Sequence, residues 1–107
     1  MMMFFELRVY AMQPGKGPEF VKYMDEELIP YQRSKGMTIL ASFLNDAEDT
    51  YVWIRRFKDE AEKEALYDAV YNNDHWRDEI APNLPALMDV DNLDVTILRA
   101  TPRSYMQ

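Results

Sequence analysis

Apolar and polar residues alternate in part between Met3 and Met12, and this period of two predicts a first β-strand. One face of the strand would carry Phe5, Leu7 and Val9, and the other face would carry Glu6, Arg8 and Tyr10. The residues from Gln13 to Gly17 include one proline and two glycines, which is typical of a turn. The pattern therefore predicts a first strand that is followed directly by a turn.

The period then changes to that of a helix, which the pattern predicts from Pro18 to Lys35. The apolar residues that recur at helical spacing are Phe20, Met24, Leu28 and Tyr31. Proline suits the first helical position because the N–H that it lacks would have no partner there, and Gly36 stands where a glycine cap ends a helix. Pro30 lies inside the helix at a cost of about 3 kcal/mol, so we expect a kink or a break near Glu27.

Two segments rich in aromatic and β-branched residues follow, from Met37 to Leu44 and from Tyr51 to Phe57. Asn45 to Asp49 between them is a polar turn, so the two strands are predicted to form a hairpin. Asp59 can then cap a helix that runs from Glu60 to about Asn72.

The residue pattern in the last part of the chain predicts a shorter helix and one more strand. Asp74 can cap a helical segment on which Trp76 and Ile80 share a face. Leu93 to Ala100 alternates as a fourth strand, and the tail 101–107 is a candidate for mobility.

The predicted order of elements, β-α-β-β-α-β, defines the fold class. Right-handed crossovers around a central hairpin give a ferredoxin-like α+β unit with sheet order 4-1-3-2, in which all neighbouring strands are antiparallel. The 107 residues, of which 48% are apolar, suit a single domain over residues 1–107 with a real core. Both helices must lie on one face of the sheet, so the other face is left uncovered.

The segment Tyr51 to Phe57 has no plainly polar face, which raises the question of what covers both sides of this strand. Monomers seldom expose a large apolar patch, so we expect a second copy to pack sheet against sheet with two-fold symmetry. Two ferredoxin-like protomers would then form a homodimer through the sheet face, a dimeric α/β-barrel. The large residues assigned to the uncovered face are Tyr10, Trp53 and Phe57. The charged residues expected to pair inside the barrel are Glu6, Arg8 and Arg55.

Composition and charge narrow the possible partners. A net charge of −7 argues against non-specific binding to nucleic acid or to anionic membranes. The absence of cysteine excludes disulfides, zinc ribbons, iron–sulfur clusters and thiol nucleophiles. The opening MMMFFELRVY has no basic region and no long apolar run, so we expect neither a signal peptide nor a membrane span and predict a cytoplasmic protein.

The acidic segment Asp89 to Asp94 does not have the chemistry of a calcium loop. Leu93 takes the fifth position, Asp94 stands where glycine is required, and Ala100 occupies the position of the ligating glutamate. We interpret the segment as a turn into the fourth strand, and we predict neither a metal site nor a cofactor.

Several segments, taken in order, resemble the NIPSNAP family. They are ELRVY, PGKGPEF, YVWIRRFKD, LYDAVYNNDHW and DVDNLDVTILR, and together they span about Phe4 to Arg99. The resemblance implies a dimeric α/β-barrel built from ferredoxin-like protomers. The wider superfamily includes cofactor-independent monooxygenases, haem-degrading enzymes and small-molecule binders, and fold analogy does not choose among them. At Arg55 the family often has an aromatic or a small residue, which implies a specialised pocket there.

His75 is the only histidine and the first catalytic candidate. It could shuttle protons or bind haem, since its unperturbed pKa is about 6.5. The simpler interpretation is a histidine at the start of a helix in a polar segment. Trp76 next to it makes an i, i+4 pair with Ile80 and is interpreted first as a core residue, with the wall of a pocket as its alternative role.

A second candidate site combines residues of the first and third strands. Tyr10, Trp53, Arg8 and Arg55 would line one cavity if these strands are neighbours. Aromatic rings with a guanidinium group suit a planar anionic or quinone-like ligand. The simpler alternative is a barrel core with an internal ion pair between Glu6 and the arginines.

Three functional hypotheses follow. The leading hypothesis is a homodimer that binds a small apolar or aromatic molecule between helices and sheet. The second is a cofactor-independent oxygenase or a haem-degrading type of enzyme, in which His75 or Tyr10 moves protons. The third is a structural or interaction module whose interior is solid.

Overall fold

The computed structural model describes residues 3–107 and contains one antiparallel sheet of four strands in the order β2-β3-β1-β4. The strands are β1 (Phe4–Met12), β2 (Thr38–Leu44), β3 (Thr50–Phe57) and β4 (Met88–Leu98). The element order and the sheet order confirm the predicted ferredoxin-like α+β fold. β1 lies between β3 and β4 because the chain crosses over twice through helices on one side of the sheet.

The first crossover is a helix with a widened middle turn. It begins as α1 (Gly17–Tyr23), continues in π-helical geometry over Met24–Leu28 and ends as α2 (Ile29–Ser34). Pro30 has no N–H to donate and its ring crowds the preceding turn, so the wider turn lies directly before it. This confirms the predicted irregularity near Glu27. Gly36 follows the helix with a φ of 100°, as expected for a glycine cap.

The second crossover begins as predicted and then differs. α3 (Glu60–Tyr71) is capped by Asp59, whose side chain accepts a hydrogen bond from Glu62 N at 2.8 Å. The prediction that Asp74 caps the next segment is wrong. Asp74 pairs instead with Arg77 on the surface, and the side-chain oxygen of Asn73 accepts from Trp76 N at 2.9 Å.

The helical layer then continues in irregular geometry, with π-helical residues at His75–Ile80 and a 3-10 turn at Ala81–Asn83. Strand β4 begins at Met88 rather than at the predicted Leu93, but its pairing with β1 is interrupted. Met12 pairs with Met88 and Tyr10 with Leu93, so residues 89–92 bulge away from β1. The prediction of a turn at Asp89 to Asp94 is therefore wrong, because these residues belong to β4 and the turn before the strand lies at residues 85–87.

The assignment of large residues to the two faces of the sheet was wrong. Tyr10, Trp53 and Phe57 lie on the helix-facing side and are buried in the core of the single chain. The opposite, outer side carries the other set of alternating residues, which are Leu7, Val9, Ala41, Phe43, Val52 and Ile54. A period of two shows which residues share a face but not which face the helices cover, because that choice depends on the crossovers.

The chain after β4 turns over one end of the outer side. Phe5 and Ile54 share a shallow cleft there with Ser104 and Met106, and Arg56 Nη1 donates to the backbone oxygen of Gln107 at 2.8 Å. The mobility of residues 101–107 stays a prediction. Among the helices described between residues 3 and 107, none has the length and apolar character that crossing a membrane requires.

Candidate functional site

A cavity of about 150 Å³ lies between the helical layer and the sheet. Its walls come from β1, β3, β4 and the helices that cover them. The lining residues are Arg8, Tyr10, Leu28, Gln32, Trp53, Tyr71, Trp76, Leu84, Met88, Val90 and Leu93. An apolar wall with a few polar groups is the usual composition of a small-molecule site.

Arg8 supplies the positive charge of the cavity wall. Its Nε donates to the hydroxyl of Tyr10 at 2.8 Å, and its Nη1 donates to Glu6 Oε1 at 3.1 Å. Its guanidinium carbon lies 5.9 Å from the ring centre of Trp53. Nη2 has no hydrogen-bond partner among residues 3–107, so this nitrogen remains available to a ligand.

Trp53 contributes a second unused donor. Its side chain is buried and its indole N–H has no acceptor among the residues that the structure describes. Its ring meets Tyr10 edge to face at 6.2 Å. Buried donors are nearly always paired, and an unpaired one in the wall of a cavity is therefore a candidate contact for a ligand oxygen.

Arg55 is fully buried and uses every donor that it has. Its Nε and Nη2 donate to Glu6 Oε1 at 3.0 and 2.5 Å, and Nη2 also donates to the Tyr67 hydroxyl at 2.9 Å. Its Nη1 donates to Gln32 Oε1 at 2.9 Å and to the Tyr71 hydroxyl at 2.7 Å. A guanidinium group has five N–H donors, so none is left for a ligand. Arg55 instead fixes Gln32 and Tyr71, which line the cavity.

Glu6 is the acceptor at the centre of this cluster. Besides the two arginines, the Tyr67 hydroxyl donates to its Oε2, and Lys63 Nζ lies 3.9 Å from that oxygen. Burial by itself would raise the pKa of the Glu6 carboxyl, but the charge of Arg55 and the hydrogen bonds from Tyr67 and Arg55 outweigh it and hold that pKa below its ordinary value. Glu6 is therefore ionised at neutral pH.

Tyr10 and Tyr67 stay neutral. Burial raises the pKa of the Tyr10 phenol, and the nearby Arg8 offsets this only in part. Burial also raises the pKa of Tyr67, with a further contribution from its hydrogen bond to Glu6. Both groups therefore keep their O–H proton and add no negative charge.

The sequence-predicted site residues fall into three groups. Tyr10, Arg8, Trp53 and Trp76 line the same cavity, whereas Arg55 lies beside it in the buried cluster. His75 is not in this cavity. It is exposed, its ring lies 4.8 Å from that of Tyr31, and it borders a wider, more open groove of about 460 Å³ on the helical layer.

The sequence analysis missed Gln32, Tyr67 and Tyr71. Tyr67 and Tyr71 are four residues apart on α3, which places both hydroxyls on one face of the helix, and Gln32 interrupts the apolar spacing of the first helix. These two signals were present in the sequence. Neither indicates that the side chains meet at Arg55, because the contact joins three separate elements.

The fold and the site together define a ferredoxin-like α+β protein with a small cavity and a buried ion cluster under its helices. The profile of the NIPSNAP family matches residues 5–105. The chain belongs to the NIPSNAP family, as the resemblance predicted. No curated protein sequence matches the chain significantly.

Solved structures from Agrobacterium tumefaciens and Burkholderia xenovorans are among those with the same fold. A NIPSNAP family protein of unknown function from Agrobacterium tumefaciens is 20% identical over 99% of this chain and 95% of its own, with a TM-score of 0.87. An uncharacterised NIPSNAP-like domain protein from Burkholderia xenovorans is 20% identical over 95% of this chain and 88% of its own, with a TM-score of 0.84. At this identity the likeness shows the fold alone.

Proposed function

We propose that this protein binds a small apolar or aromatic molecule in the cavity between its helices and its sheet, and that it does so as a homodimer. The observation that supports binding is the cavity itself, whose largely apolar wall includes Arg8, with its unused Nη2, and Trp53, whose buried indole N–H has no acceptor among residues 3–107. An apolar surface with a few oriented polar groups is suited to holding a ligand in one orientation. A structural module would be expected to fill this space with side chains.

The arrangement supports binding better than oxygenase catalysis. The oxygenase hypothesis needs a group that moves protons at the substrate, and it named His75 and Tyr10. His75 borders a different groove. The raised pKa of Tyr10 makes its hydroxyl a hydrogen-bonding group rather than a base at neutral pH.

The outer side of the sheet supports the homodimer. Leu7, Val9, Val52 and Ile54 form an aliphatic centre on it, and Phe43 beside them is 55% exposed. A second copy of this chain offers a surface of the same size and chemistry, related by a two-fold axis. We propose neither nucleic acid nor a membrane as a partner, and the cytoplasmic location stays a prediction.

Binding can be tested by tryptophan fluorescence. The chain has two tryptophans, Trp53 and Trp76, and both line the cavity, so the emission reports on this site alone. We expect small aromatic compounds to shift or quench the emission in a saturable way.

The half-buried Leu84 and Leu66 provide a matched pair of variants. Leu84→Phe should fill part of the cavity and weaken binding, whereas Leu66→Phe changes a leucine of the helical layer that does not line the cavity and should not. Binding that Leu84→Phe and Leu66→Phe reduce equally would place the compounds elsewhere and overturn the proposal.

A further inference from the structure

The buried cluster beside the cavity has more positive than negative charge. Glu6 is the one carboxylate within ion-pair distance of Arg8 or Arg55 among residues 3–107, and it faces both guanidinium groups. Lys63 adds a third cation at 3.9 Å, although its side chain is partly exposed. Glu6 therefore balances one of the two guanidinium groups, and the cluster of the buried Arg55 and the largely buried Arg8 keeps at least one unmatched positive charge. Charges removed from water are costly unless they are paired.

No neighbouring group among residues 3–107 balances this charge. The side chains that surround the arginines with hydroxyl groups are Tyr10, Tyr67 and Tyr71. Burial raises the pKa of Tyr10 and of Tyr67, so these phenols do not become phenolates near neutral pH. No residue that the structure describes supplies the missing negative charge, which points to a bound anion.

The unmatched charge faces the cavity at Arg8. All donors of Arg55 are occupied by Glu6, Gln32, Tyr67 and Tyr71, whereas Nη2 of Arg8 has no partner among residues 3–107. The buried indole N–H of Trp53 is a second unpaired donor in the same wall, and the guanidinium of Arg8 lies over its ring. The other buried group without a partner among residues 3–107, the Tyr51 hydroxyl, does not line the cavity, so the two unpaired donors favour a ligand that accepts hydrogen bonds.

We infer that the cavity takes a small organic anion, an apolar or aromatic body with one carboxylate, and that Arg8 and the indole N–H of Trp53 bind the carboxylate. This inference rests on the proposed function and names its ligand class. The apolar body would pack against Leu28, Leu84 and Trp76. The volume suits a ligand with a single ring, since a cavity of about 150 Å³ holds benzene in another protein.

The test compares a carboxylate with its neutral amide. Phenylacetate and phenylacetamide have the same body and nearly the same shape, and they differ in the charge that Arg8 would recognise. Binding to the wild-type protein is measured by tryptophan emission and by calorimetry. We expect phenylacetate to bind at least about tenfold more tightly than phenylacetamide, because hydrogen bonds between charged groups are about twice as strong as neutral ones.

Variants test whether Arg8 causes the preference for phenylacetate over phenylacetamide. Arg8→Gln should weaken phenylacetate at least about tenfold and leave phenylacetamide within about threefold, whereas Arg8→Lys, which keeps the charge, should retain part of the preference. Arg77→Gln removes an exposed arginine of the helical layer that does not line the cavity, and it should change neither affinity. Urea unfolding of each variant checks that the fold is intact.

The outcomes separate the two claims. A preference for phenylacetate that Arg8→Gln abolishes supports the inference. Equal binding of both compounds by the wild-type protein overturns the anionic ligand but leaves the proposed function standing. If neither compound binds, the proposed function and the inference both fail. The wild-type comparison decides the charge preference even if Arg8→Gln does not fold.

Discussion

The two sides of the sheet are buried to different extents, and the difference is the reverse of what the polarity of their residues suggests. The helix-facing side buries the charged groups Glu6 and Arg55 completely, whereas the outer side presents aliphatic residues such as Val52 and Ile54 that are only half-buried. On the helix-facing side, hydrogen bonds and ion pairs satisfy every donor of Arg55. On the outer side, the turn of the tail covers one end, and no other element among residues 3–107 covers the rest.

The comparison shows that burial here follows coverage by other elements, not polarity. The helices bring Gln32, Tyr67 and Tyr71 to Arg55, and these partners make a buried charge tolerable. The outer side has no such partners within the described chain, so we expect a second copy of the chain to cover its apolar residues. Site and proposed interface thus lie on opposite faces of the same strands.

The largest expected effect comes from removing the central carboxylate of the helix-facing side. Glu6→Gln leaves Arg8 and Arg55 without a counter-charge, and we expect it to lower the free energy of unfolding by about 3–5 kcal/mol in urea titrations. Glu64→Gln, on the exposed face of α3, is the control and should change little. A loss as small as that of Glu64→Gln would show that Glu6 does not balance buried charge.

The same carboxylate predicts the acid dependence. Because the pKa of Glu6 is lower in the folded chain than its ordinary value of 4.5, its contribution to stability is complete above about pH 4.5 and is lost as the pH falls through the folded pKa. Glu6→Gln should therefore flatten the stability profile in this acid range. An unchanged slope would contradict the assignment.

The next largest effect concerns the outer side. Val52→Lys introduces a charge at the centre of the proposed interface and should raise the dimer dissociation constant by about 30-fold or more, or about 2 kcal/mol, while the protomer stays folded. Sedimentation velocity over a concentration series measures this. Ala65→Lys on the exposed face of α3 should leave the dimer unchanged. A wild-type protein that remains a folded monomer at micromolar concentration would refute the homodimer.

A smaller effect is expected where the helix-facing side has an unpaired group. Trp53→Phe removes an indole N–H that has no acceptor among residues 3–107, so the protein loses packing but no hydrogen bond. We expect the free energy of unfolding to fall by no more than about 1 kcal/mol, well below the 3–5 kcal/mol typical of truncating a buried aromatic residue to alanine. A much larger loss would mean that the N–H is bonded in the free protein.

The smallest effect is expected outside both sides of the sheet. His75→Ala changes an exposed residue on the helical layer, and its stability should stay within about 0.5 kcal/mol of the wild type. The affinity for phenylacetate should also be unchanged, because His75 does not line the cavity. If His75→Ala weakened phenylacetate as much as Arg8→Gln, the position of the site would have to be revised.

Local patterns of the sequence determined the elements and their order. Strand alternation, the proline in the first helix and the Asp59 cap act over a few residues, and each had its predicted structural effect. The short connections and the handedness of the crossovers then left one economical sheet order. The sequence analysis did not predict the bulge at residues 89–92, because the bulge depends on pairing with β1 rather than on the local sequence.

The tertiary structure alone decided which face of the sheet is covered and which partners each charged residue has. Alternation grouped Arg8 with Tyr10 and Trp53 with Arg55, but only the helices above them separate the saturated Arg55 from Arg8 with its unused nitrogen. Those contacts join residues far apart in the chain, from β1, β3, the first helix and α3. A local sequence pattern does not predict these contacts, because they form only when the helices pack on the sheet.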